Sequence, residues 1–305
     1  MKITAIGSIA YDSIITPFAK GKKLLGGSLT YFSLAASYFA KVGVVAVVGQ
    51  DFKQREIKML SRHKIDLSGL EVKRGKTFHW AGKYNFDLNN RTTLKTELNV
   101  FEHFDPILPE NYLGAEYVFL GNIAPKLQLK TLKQFKKPGL IVTDTMNYWI
   151  ESDQARLVEV LKRTDVLIIN DSEVRELAKK SNITQATKVV LKYLGKLRPH
   201  SPTLIIKQGE YGCLIHTNKA WFSLPAFPLE NVFDPTGAGD SFAGGFVGYL
   251  ATQKKITVKS IKNAAMYGTT MASFTVEKLG VSNLLNLSLS KIKSRVSNLH
   301  NMTKV

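Results

Sequence analysis

From Tyr117 to Lys207 short apolar runs alternate with helix-patterned segments, and this alternation constrains the fold more than any other feature. Strands are expected over 117–120, 140–144, 166–169 and 203–207. Helices are expected over 127–135, 152–161, 171–180 and 184–197. Strands joined by helical crossovers pair in parallel, and the crossovers cover both faces of the sheet. The expected class is α/β, a doubly wound, mostly parallel sheet with helices on both faces. Ligands of such sheets bind beyond the carboxyl ends of the strands.

The flanking segments extend the pattern. Residues 2–9 read as a strand ending at Gly7-Ser8, and 28–40 as a helix with Ser28 as N-cap. Val42 to Val48 is a β-branched run suited to a buried strand, and 51–62 an amphipathic helix capped by Asp51. Two short strands follow around 212–216 and 220–224, and the chain is mostly helical from Gly237. Residues 71–100 instead alternate apolar and polar around an Asn89-Asn90 turn, the pattern of a partly wet antiparallel ribbon. No Pro/Gly/Ser-rich linker divides the chain. The expectation is one domain over 1–305, carrying a small β-ribbon lid built from about 10–27 and 71–100.

Composition excludes several classes. Hydrophobic residues make up 44% and charged residues 22%, ordinary for a packed domain and unlike a disordered chain. No apolar run approaches the ~20 residues of a spanning helix, so no membrane role is expected. The opening MKITAIGSIAYD lacks the long apolar core of a secretory signal. The single cysteine, Cys213, allows no internal disulfide or cysteine metal cluster and is expected to fill the core. A cytoplasmic location is the expectation. The net charge of +18 favours anionic partners, but 33 of the 42 cations are Lys, scattered in runs of at most two. Arg-rich clustering is the usual mark of nucleic-acid recognition, so no specific nucleic acid is expected. His63, His79, His103, His200, His216 and His300 show no metal-ligand or triad spacing and receive no role.

The residues that carry chemistry begin at Asp234, in the string DPTGAGD that runs into SFAGGFVGYL. Gly237, Ala238 and Gly239 are small enough for backbone N–H groups to close around an anion, and they open a helix over about 238–251. Asp240 in that first turn would repel a bound phosphate unless it meets a hydroxyl. A hydroxyl held between Asp240 and a phosphate in this cradle is the arrangement for phosphoryl transfer. The alternative reading is a glycine turn with a capping acid. A dinucleotide dehydrogenase fails, because no GxGxxG follows the first strand.

The seven-residue string resembles the signature of the ribokinase-like (PfkB) carbohydrate kinases. The resemblance implies a ribokinase-like fold, ATP and Mg²⁺ as cofactors, Asp240 as catalytic base, and Gly237, Ala238 and Gly239 as anion hole. It implies that Asp234 organises the loop, in some members beside a monovalent-cation site such as K⁺. It assigns Mg²⁺ to Asn170 and Glu173 of NDSE, a pattern that also caps helices. Lys207, Gly209 and Gly212 of KQGEYG resemble the turn that runs along the nucleotide, and Asn263 and Ser273 the helix walling the adenine. Gly26-Gly27 resembles the first family signature, and Asp12 an acid that binds sugar hydroxyls.

One departure concerns the acceptor. Many members carry Asn where this chain has Tyr31, so a sugar hydroxyl meets a phenol or a ring face. The ribbon adds Phe78, Trp80, Tyr84 and Phe86, with Tyr148 and Trp149 near the same mouth; they pack the lid or stack on a base. Arg91, after the Asn-Asn turn, is either solvated or paired with a phosphate. The leading expectation is an ATP-dependent kinase of an alcohol on a small sugar. The alternatives are a nucleoside kinase of the adenosine or inosine type and a non-catalytic nucleotide-binding protein. The ribbon covers its own site or pairs with a second copy's ribbon in a homodimer.

Overall fold

The computed structural model describes residues 1–198, 201–217 and 220–304, so His200 lies outside the described residues. The chain runs β1 (Ile3–Ile6), β2 (Ala10–Ile15), β3 (Lys20–Gly26), α1 (Ser28–Ser37), β4 (Val42–Gly49), α2 (Gln54–Arg62), β5 (Ile65–Lys73), β6 (His79–Tyr84) and β7 (Arg91–Glu97). It continues with β8 (Tyr117–Leu120), α3 (Pro125–Gln134), β9 (Leu140–Asp144), α4 (Asn147–Ser152), α5 (Gln154–Leu161), β10 (Val166–Asn170), α6 (Asp171–Ala178) and α7 (Ile183–Leu191). The last third holds β11 (Thr203–Lys207), β12 (Cys213–Thr217), β13 (Ala220–Leu224), α8 (Ala238–Leu250), α9 (Val258–Val276) and α10 (Leu289–Met302).

Among the described residues the large sheet has nine strands in the order β13-β12-β11-β10-β9-β8-β1-β4-β5. The seven strands from β11 to β5 in this order pair in parallel, and β12 and β13 close one edge as antiparallel strands. The apolar runs of the strands are buried on both sides, because alternate residues feed opposite faces. Val42, Val44, Ala46 and Val48 of β4 pack towards α1, α8 and α9, whereas Val45 and Val47 pack towards α3 and α5. Leu167, Ile169, Leu204 and Ile206 form a third cluster with α6 and α7. Each of these side chains contributes about 1.5–3 kcal/mol on burial. The doubly wound expectation holds.

A smaller sheet, β3-β2-β6-β7, projects from the carboxyl ends of β1 and β5. It departs from the expected antiparallel ribbon in two ways. Residues 71–73 belong to β5, which lies along β4 in the large sheet, so the second lid segment begins later than residue 71. The two lid hairpins meet in parallel at β2–β6, with Asp12 opposite Trp80.

Two expected helix caps move. Gly27, at φ 88°, is the N-cap of α1, a backbone region glycine enters without strain. Ser28 instead exchanges hydrogen bonds with Ser8, fastening α1 to the end of β1 (Ser28 N to Ser8 Oγ, 3.2 Å). α2 starts at Gln54, and the Glu56 carboxylate accepts from the N–H of Lys53. Asp51 accepts from the N–H and hydroxyl of Thr77, each at 2.7 Å, and so ties the approach to β6 to the end of β4.

Candidate active site

The string DPTGAGD folds into a buried hinge and an open helix end. Asp234 is fully buried; its carboxylate accepts from the N–H groups of Thr236 and Gly280, each at 2.9 Å. It holds the loop in place and does not line the nucleotide cavity described below. Gly237 caps α8 at φ 76° and lies flat on Tyr31: a Cβ there would come within 2.3 Å of the ring. The Ala238 N–H turns back to Pro235 O, whereas those of Gly239 and Asp240 have no backbone partner among the described residues. The Asp240 N–H turns to its own carboxylate, and the Gly239 N–H is left at the positive end of α8 that faces the site.

Three neighbouring strands end at this point. In the β9–β10–β11 register, Ile168 pairs with Asp144 and Asn170 with Lys207. Lys207 Nζ lies 3.7 Å from Asp144 Oδ1, a buried oxygen without a hydrogen bond among the described residues. A Cβ on Gly239 would come 2.8 Å from the same Nζ, so the glycine keeps open the space in front of the ammonium. Burial pulls the Lys207 ammonium down, and Asp144, Glu173 and Asp240 outweigh it and hold it above the ordinary lysine value. Burial and the Asp144 charge push Asp240 up to about 7, against Lys207 and Arg91. Asp144 was not singled out from the sequence; an acid ending an otherwise apolar strand was the signal available.

Asn170 and Glu173 form a reciprocal cap on α6. Asn170 Oδ1 accepts from the Glu173 N–H and Glu173 Oε2 from the Asn170 N–H, each at 2.8 Å. The capping role considered for NDSE is therefore realised. It leaves the second Glu173 oxygen without a hydrogen bond among the described residues, and burial lifts the carboxyl to about 7. No group of three or more acidic, His or Cys side chains gathers as a metal site among the described residues. This donor set suits a hard cation that arrives with its own phosphate oxygens and waters, as Mg²⁺ does.

A cavity of about 520 Å³ opens beside this constellation, between Lys207, Gly209, Gly212, Phe227, Gly239 and Ser273. Gly212, at φ 95°, passes so close to β13 that a Cβ would meet Leu224 O at 2.0 Å. Ser273, Thr269 and Ala272 of α9 form one wall. The Ser273 hydroxyl bonds to Thr270 O and accepts from Arg295, whose guanidinium lies over Phe274 and Phe227. Asn263 is not at this wall: it donates to Tyr249 on α8, more than a turn away from Thr269. Cys213 is 2% exposed yet lies along the cavity, and burial pushes its thiol up to about 12.

The lid places the opposite wall. Asp12 on β2 is 4% exposed; burial lifts it to about 7, the Gly27 N–H opposes this, and the charges of Asp234 and Asp240 add to it. Gly26 is required beside it, since a Cβ would come 1.9 Å from Asp12 Oδ2. Tyr84 of β6 accepts from Thr236 Oγ1 at 3.1 Å, joining lid to catalytic loop. Tyr31, expected to meet the acceptor, is instead buried beneath Gly237, and its hydroxyl has no partner among the described residues. Of the other aromatics, Phe78 stacks on Phe101 and Trp149 donates to Asn122, while Phe86 is exposed and packs on Phe18. The lid strands also gather His79, for which no role is legible from spacing. Ser13 Oγ lies 2.9 Å from His79 Nε2, and Glu97 lies 2.9 Å from Nδ1, which stitches β2, β6 and β7 together.

Comparison with known proteins follows these features. The family model described as pfkB family carbohydrate kinase matches residues 20–287. A cytidine kinase of Thermococcus kodakarensis is 30% identical over 253 residues, 81% of this chain and 87% of that protein. A nucleoside kinase of Methanocaldococcus jannaschii is 25% identical over 295 residues, 92% of this chain and 91% of the relative. The solved structure of nucleoside kinase from that organism has a TM-score of 0.78 at 22% identity, over 97% of this chain and 98% of the other. An E. coli structure described as ribokinase II with ATP and Mg²⁺ also reaches 0.78, at 18% identity over 97% and 99%. With the glycine cradle and Asp240 at the head of α8, and the family model spanning most of the sequence, this chain belongs to the pfkB family of carbohydrate kinases.

Proposed function

We propose that this phosphotransferase is a nucleoside kinase that moves the γ-phosphoryl group of ATP to the ribose hydroxymethyl of its acceptor. The carrying observation is the pair Asp12 and Asp240, two carboxyls on the lid and at the head of α8, near enough that the Asp240 charge helps raise the proton affinity of Asp12. In this reading Asp12 accepts from ring hydroxyls of a ribose, and Asp240 from the hydroxyl that attacks. The cytidine kinase relative supports a nucleoside over a free sugar. So does Tyr31, which offers no amide to a sugar hydroxyl, and so does the Trp80 of β6 opposite Asp12.

The chemistry follows from these positions. The cavity holds the nucleotide along Gly209–Gly212, with its phosphates towards Lys207 and Gly239. The Gly239 N–H at the positive end of α8 and the Lys207 ammonium stabilise negative charge on the transferred group. Glu173 and Asp144 would be the nearby oxygen donors for an Mg²⁺ arriving with the nucleotide, and the ion would supply neutralisation of the phosphate charge. Asp240 orients the acceptor hydroxyl and takes its proton as the new P–O bond forms; positioned bases of this kind contribute about 10²–10⁴-fold. Asp144 keeps Lys207 charged and aimed.

The test is ADP release with Mg-ATP and cytidine, inosine, adenosine, ribose or fructose, compared by kcat/KM. A nucleoside preferred over ribose and fructose by 100-fold or more supports the proposal. Equal or better turnover of a free sugar contradicts it and returns the chain to the sugar-kinase reading.

A further inference from the structure

The hairpin that joins β6 to β7 does more than roof the acceptor space. Its tip residues Asp87, Leu88 and Asn89 line the 520 Å³ cavity together with Lys207, Gly209 and Gly239. Asn89 Oδ1 lies 3.1 Å from where a Gly209 Cβ would stand, so the tip rests on the turn that borders the nucleotide. The tip is built rather than loose. Asp87 accepts from the N–H groups of Asn89 and Asn90, Asn85 N–H donates to Asn90 O, and Leu88 holds φ 58°, a costly region for a branched aliphatic residue. A non-glycine residue keeps such a conformation only where the surrounding structure demands it.

Arg91 starts β7, directly opposite Tyr84. Its guanidinium reaches the Tyr84 hydroxyl and lies 5.7 Å from the Trp80 ring centre. Tyr84 in turn accepts from Thr236 in the catalytic loop. Arg91 is thus the lid's cation on the phosphoryl-transfer side, and its charge bears on Asp240, Glu173 and Lys207. Around it stand Tyr84 and Trp80 from the lid, and its charge is felt by Asp240 of α8 and by Glu173 and Lys207 at the strand ends. Lys207 already has Asp144, Glu173 and Asp240 about it, so Arg91 is the further cation that the phosphates of a nucleotide in this cavity can meet.

We propose that the β6–β7 hairpin is a donor-side clamp, in which Asp87–Asn89 close on the nucleotide and Arg91 contacts its phosphates. The same hairpin carries Trp80 and Tyr84 over the acceptor, so donor binding orders the acceptor site. This inference rests on the kinase reading of the cavity. Hydrogen exchange with the full chain and Mg–AMP-PNP, without any acceptor, tests it. Residues 85–91 should gain protection on adding the nucleotide alone. Replacing the tip with L88G/N89G should weaken AMP-PNP binding fivefold or more. R91A should lower kcat about 100-fold while changing the AMP-PNP Kd less than fivefold, and R91K should recover part of kcat. Thermal unfolding of each variant checks that the fold is intact. If AMP-PNP binds the parent protein but 85–91 stay unprotected, or the tip variant binds as tightly, the clamp is wrong and the kinase reading stands. If AMP-PNP does not bind the parent protein, both fail.

Discussion

A methyl group on Gly239 would stand 2.8 Å from Lys207 Nζ. The glycine is therefore a condition of the anion site and not of the helix, whose first turn any alanine would favour. Gly239→Ala should cut kcat/KM by more than 100-fold and leave the melting temperature unchanged or slightly raised. Steady-state kinetics beside thermal unfolding reads both; activity near that of the parent would show that the space before Lys207 holds no phosphate.

Asp240 sits near 7 because burial and Asp144 oppose its ionisation. A base acts in its deprotonated form, so kcat/KM should rise with pH as the carboxyl ionises and level off above about 7. Asp144→Asn removes the like charge and should move that limb to lower pH. A limb that stays in place in the variant would mean another group governs it.

Asp12 shows what the acceptor site costs the fold. Its folded value of about 7 lies above the ordinary carboxylate range, so the folded state takes up a proton that the unfolded chain releases. The stability this gives is complete below about pH 4 and is lost as pH rises through 7. Asp12→Asn should therefore stabilise the free protein at pH 8.5 by about 1–3 kcal/mol, change little at pH 4, and abolish turnover. Urea unfolding at both pH values checks the sign. An equal effect at the two would remove the burial argument.

Tyr31 carries a buried hydroxyl without a partner among the described residues. Leaving such a group unsatisfied costs about 1–3 kcal/mol, so Tyr31→Phe should raise stability by about 1 kcal/mol. Gly237→Ala should do the reverse, because φ 76° and the ring beneath both resist a side chain. Destabilisation by Tyr31→Phe would reveal a bond to the phenol.

The parallel sheet was legible in the sequence because its strands are continuous apolar runs and its crossovers carry helical periodicity. DPTGAGD was legible because its steric demands are local: small residues, a positive φ and an acid in one turn. What escaped was long-range. Asp144 ends a strand that reads as core, and only the β9–β11 register brings it to Lys207. Arg91 stays exposed, as its place after the Asn-Asn turn suggests, and only the β6–β7 register sets it opposite Tyr84, 152 residues in sequence before that tyrosine's loop partner Thr236. Asn263 repeats a small-residue pattern that serves helix packing as well as a pocket wall, and packing won. The caps misplaced to Ser28 and Asp51 are both good capping residues; each instead binds another segment, Ser8 and Thr77, which local pattern does not encode.

The most direct measurement is phosphorus NMR of Mg-ATP incubated with cytidine, using the parent protein and Asp240→Asn. The account predicts a nucleoside 5′-monophosphate signal and ADP in equal amounts from the parent. In the variant the yield should fall at least 100-fold with ATP binding retained. A variant that transfers phosphate at near the parental rate would contradict it, and so would a parent that phosphorylates ribose while leaving nucleosides untouched.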